Sequence, residues 1–67
     1  MLDVIQKING NLVVVSSWAD NNKAGAKQAY HNTCKNLYAD AETTSGIVAI
    51  VDDNLDIVEG CKEFIVK

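Results

Sequence analysis

The run Asp52-Asp53-Asn54-Leu55-Asp56, with Glu63 beyond it, spaces its oxygen-bearing side chains as the first, third, fifth and twelfth positions of a calcium-binding loop. Such a loop needs glycine at its sixth position for the sharp turn, and helices on either side. Here Ile57 stands sixth and the flanks alternate as strands. Asp52, Asn54 and Asp56 are therefore read as an acidic hairpin turn. A second set is His31 and Cys34, three residues apart on a helical segment, with Cys61 offered from a strand. Tetrahedral zinc takes four ligands of this kind in recognised spacings. Cys34 reads better as a small core residue and His31 as a partly exposed side chain. Neither a metal nor any other cofactor is assigned. Cys34 as nucleophile with His31 as base would be the catalytic alternative. No orienting partner or oxyanion loop accompanies them, and so short a domain has little room for a deep pocket. The expectation is a protein that is not an enzyme.

Contact chemistry is the other class. Lys27, His31, Lys35 and Tyr38 line one flank of the same helical segment as a small basic-aromatic ridge, which also reads as an ordinary solvated face. Trp18 has two readings as well: an interface anchor, or a large aromatic closing one end of the core. These five are the candidate interaction residues.

The elements that must carry them follow from periodicity. Ala26, Tyr30, Thr33, Leu37 and Ala41 recur at three- and four-residue spacing and predict a helix over about 21–41. Asp20-Asn21-Asn22 supplies N-cap chemistry at its start, and Glu42 through Gly46 ends it. Gln28, Asn32, Lys35 and Ala39 would form its solvated side. Before it, Leu2–Ile8 and Asn11–Trp18 are two β-rich runs joined by Asn9-Gly10, the dipeptide suited to a two-residue type I′ turn. That turn sets Ile8 opposite Asn11, Ile5 opposite Val14 and Val4 opposite Val15. It sorts Leu2, Val4, Ile8, Val13 and Val15 onto one face and Ile5, Leu12, Val14 and Trp18 onto the other. After the helix, Ile47–Val51 and the stretch from Leu55 onward form a second hairpin, 46–66, with Gly60 as a candidate bulge.

The expected architecture is one α+β domain spanning 1–67, ordered ββαββ, with a single helix on a four-stranded, or with a split last strand five-stranded, largely antiparallel sheet. Two strand orders fit: the second strand beside the third through a right-handed crossover, or a sheet closed by the outer strands.

Composition narrows the partners. The net charge is −3, and every one of the six basic residues is lysine. Without arginine the chain lacks the side chain best suited to bidentate phosphate or guanine contacts, so no nucleic acid is expected. No apolar run reaches the length of a membrane span, and Asp3 stands where a signal peptide would carry a base, so a cytoplasmic protein with two reduced thiols is expected. A domain this small buries only about 60% of its unfolded surface and commonly needs extra support. The strands are apolar on both sides while one helix covers one side. The sequence therefore points to a small interaction module acting by binding, as a homodimer joined through a sheet face or edge. A metal- or ligand-binding regulatory domain is the alternative.

Overall fold

The computed structural model describes residues 1–66. Its elements are β1 (Leu2–Ile8), β2 (Asn11–Trp18), α1 (Lys23–Ala39), β3 (Ser45–Val51) and β4 (Ile57–Val66). The sheet order is β2-β1-β3-β4, antiparallel throughout. The chain is thus a ββαββ fold with one helix packed on a four-stranded sheet. Asn9 and Gly10 take φ of 51° and 89°, the two left-handed residues a type I′ turn requires. Ile8 faces Asn11 and Ile5 faces Val14, as the turn dictates.

The hairpin then departs from simple alternation. A bulge between Val4 and Ile5 sets Val4 opposite Ser16, not Val15, and Leu2 opposite Trp18. One extra residue on β2 reverses which side chains share a face beyond it. Trp18 consequently joins the helix side, against the core cluster, and not the side of Ile5 and Val14.

Strand order also differs from both expected arrangements, since β1 lies between β2 and β3. The helix leaves edge strand β2, passes over β1 and delivers the chain to β3, packing on all four strands on the way. The consequence falls on β2. It carries the unbroken apolar run Leu12-Val13-Val14-Val15, yet all four are exposed, because the strand has a neighbour on one side only.

Asn22 caps the helix, its Oδ1 accepting from the Gly25 amide at 3.2 Å. Asp40 ends it earlier than the periodicity suggests. Its Oδ1 accepts from the Glu42 amide at 3.0 Å and its Oδ2 from the Thr43 hydroxyl at 2.9 Å, which turns the chain out of the helix and leaves Ala41 exposed. Gln28, Asn32, Lys35 and Ala39 are exposed, forming the solvated side. Between helix and sheet lie Leu2, Val4, Ala26, Tyr30, Cys34, Leu37, Val48, Ile50, Cys61 and Ile65. The last strand is continuous from Ile57, with Gly60 at φ 78° where its register to β3 shifts. Among the described residues no helix is long and apolar enough to cross a membrane.

Candidate functional site

In the acidic loop between β3 and β4, Asp52 turns its oxygens on the loop itself, while Asp53 Oδ2 accepts from the Met1 ammonium at 2.9 Å. Asp52 Oδ1 accepts from the amides of Asn54 at 2.9 Å and Asp56 at 3.0 Å, while the Asp52 carbonyl accepts from the Leu55 amide at 3.0 Å. The carboxylate thereby organises the turn, as Asx residues do. Among the described residues no group of three or more His, Cys, Asp or Glu side chains is placed to hold a metal ion.

Cys34 and Cys61 are both buried and unbridged, and the fold brings them from α1 and β4 into one core cluster. His31 stays on the exposed side of the helix, its ring tilted against Tyr30 at 5.1 Å between centroids. Burial pushes the Cys34 thiol up from its ordinary 9.0, outweighing the hydrogen bond from Tyr30 that favours the thiolate. An activated nucleophile needs the opposite shift. Burial, helped by the neighbouring Cys34, pushes the Tyr30 phenol up to about 12.

Both groups are neutral in the fold and ionise more easily in the unfolded chain. Their contribution to stability is complete below the unfolded values of 9.0 and 10.0 and is lost as pH climbs through the raised folded ones. These two groups are expected to lower the melting temperature progressively as pH rises from about 9.0 toward about 12. Tyr30→Phe should flatten the upper part of that fall. A melting curve series that is unchanged at high pH, or the same in both proteins, would contradict the buried Tyr30–Cys34 pair.

The ridge residues Lys27, His31, Lys35 and Tyr38 are all exposed along α1. Trp18 is half-buried and packs against the core. Its Nε1 donates to Ser16 Oγ at 2.8 Å.

The larger feature lies on the other side of the sheet, which no element among the described residues covers. Pairing registers arrange it in three rows across the strands. The middle row is Val14, Ile5, Ala49 and Lys62. Toward the Asn9-Gly10 turn runs Leu12, Lys7, Ile47 and Phe64; toward the other end runs Ser17, Asp3, Val51 and Ile57. Leu12 and Phe64 are each 63% exposed, Val14 57% and Ile57 46%. Ala49 and Val51 are buried in the floor between their larger neighbours. Beside Lys7, Ile47 and Phe64 the face dips into an open groove of ≈ 300 Å³. Charge is sparse and placed: Lys62 Nζ lies 5.2 Å from the Phe64 ring centroid, and Ser17 donates to Asp3 Oδ1 at 2.8 Å. Phe64, Ile57, Asp3 and Lys7 were not singled out by composition or motif. The two-residue side-chain period of the strands groups them only once the side of the sheet that the helix covers is known.

Comparisons with protein-family models, with curated proteins and with solved structures returned no match to this chain.

Proposed function

We propose that this chain is a non-enzymatic protein-interaction module that works as a homodimer through the open face of its sheet. One observation carries the reading: a four-stranded sheet with a helix on one side presents Leu12, Val14, Ile57 and Phe64 to solvent on the other. Contiguous apolar surface of this kind on a small domain is characteristic of an interface. A neutral, buried Cys34 with a raised pKa offers no nucleophile to a competing catalytic reading. A cytoplasmic setting fits the two unbridged thiols.

Size sets the affinity class. Four strands about 4.8 Å apart, with about seven residues each at about 3.4 Å, give a face of roughly 450 Å². Two such faces together approach, without exceeding, the ~1,000 Å² that stable specific interfaces clear. The association is accordingly weak, in the micromolar range or above.

Phe64→Glu tests the reading. The side chain is 63% exposed in the single chain, so folding stability should change by no more than about 0.5 kcal/mol. A carboxylate buried against the second apolar face should weaken self-association at least about tenfold. Sedimentation equilibrium on both proteins reads this directly, and identical association would remove the open face from the proposal.

A further inference from the structure

The open face carries two oppositely charged residues on its inner strands, and their placement is self-complementary. On β1, Asp3 and Lys7 lie two residues to either side of Ile5, which is itself in the middle row. We infer that two copies stack their open faces about a two-fold axis that runs across the strands along that middle row, pairing Asp3 of each chain with the partner's Lys7. This rests on the self-association proposed above and specifies its geometry.

For sheets stacked with their strands aligned, a two-fold axis between them runs either across the strands or along them. An axis along the strands reverses strand order, so that β1 of one chain lies on β3 of the other. Asp3 and Lys7 would then be pressed against apolar side chains with no countercharge, which is costly. The axis across the strands keeps each strand over its own copy, running the opposite way. Asp3 then meets the partner's Lys7, Val51 meets the partner's Ile47, and Ile57 meets the partner's Phe64. Ile5, Ala49 and Val14 meet their own copies on the axis. Only Lys62 meets a like charge, on edge strand β4, where it is exposed and water screens it.

The stack tolerates the usual twist between packed sheets. Asp3 and Lys7 are four residues apart, about 14 Å along the strand, and a rotation of about 30° displaces each end by roughly 3.5 Å. A lysine side chain spans that offset. The hydrogen bond from Ser17 meanwhile holds Asp3 in position. Complementary charges of this kind fix register and reject wrong arrangements more than they add affinity.

Charge reversal tests the pairing through a pattern that general damage does not reproduce. Asp3→Lys places lysine against lysine at both contacts of its homodimer, and Lys7→Asp places aspartate against aspartate. Each variant should dissociate at least about tenfold more readily than the unaltered chain. Mixed in equal amounts, the two should form a heterodimer with both contacts restored, within about threefold of the original affinity. Recovery on mixing also shows that both variants are folded. Homodimers insensitive to either reversal would overturn the pairing while leaving self-association standing, with the uncharged edge of β2 as the place to look. Variants that dissociate but fail to recover on mixing would overturn it too. An unaltered chain that stays monomeric at millimolar concentration would remove both the pairing and the reading beneath it.

Discussion

Ile50→Ala is expected to cost about 2–5 kcal/mol, a large share of the stability of so small a domain. Ile50 is fully buried in β3, opposite Val4 of β1, on the side covered by α1. Removing its outer carbons leaves a hole that a sheet held on both sides by hydrogen-bonded neighbours cannot close. At 0.05–0.15 kcal/mol per residue, a domain of this size has only about 3–10 kcal/mol in total. Thermal melting should show a drop of roughly 8–40 °C, at about 4–8 °C per kcal/mol for small domains. Phe64→Ala is the matching control, since its ring is 63% exposed and the single chain gains little from it. A small effect at Ile50 together with a large one at Phe64 would mean that the helix lies on the opposite side of the sheet.

Gly25→Ala is expected to lower stability by about 1–3 kcal/mol, although helix propensity alone predicts a gain of about 1 kcal/mol. Gly25 lies in the first turn of α1, where the Trp18 indole packs directly against its Cα. A Cβ at this position would come within 2.8 Å of Trp18 Cε3 and Cζ3 and 2.9 Å of Asn22 Nδ2. The indole cannot swing aside freely, because Nε1 is bonded to Ser16 and the ring closes the end of the core. The amide of Asn22 belongs to the capping side chain, so the clash reaches the helix start as well. Denaturation followed by tryptophan fluorescence would report both the lost stability and a more exposed indole. An alanine variant that melts higher than the parent would show that Trp18 is loosely held.

These two positions illustrate what was legible in the sequence and what was not. The Asn9-Gly10 hairpin was legible because turn chemistry is local: two residues able to take positive φ fix the register of the strands beside them. The helix was legible for the same kind of reason, through Ala26, Tyr30, Thr33 and Leu37, all of which are buried. Its end was not, because the Asp40 carboxylate competes for backbone amides in a way that periodicity does not register. Trp18 was assigned to the wrong face because one bulged residue in β2 reverses side-chain direction, and a bulge leaves no mark in the pattern of valines.

The position of β2 at the edge was hidden more deeply. Leu12-Val13-Val14-Val15 reads like a buried central strand, and only the pairing of β1 with β3, residues far apart in the chain, sends it outward. The two-sided apolar character of the strands was visible, and it is what raised dimerisation. The significance of Asp3 and Lys7 was not, since two charges on a strand mean little until the helix is known to lie on the other side.

Solution mass measured across concentration is the most direct test of the central claim that the open face joins two copies. Light scattering from about 1 μM to about 1 mM spans the affinity expected for an interface of this area. The account predicts a mass that rises with concentration from the 7.3 kDa of one chain toward twice that value and levels there, as a closed two-fold assembly must. A constant 7.3 kDa over the whole range would contradict it.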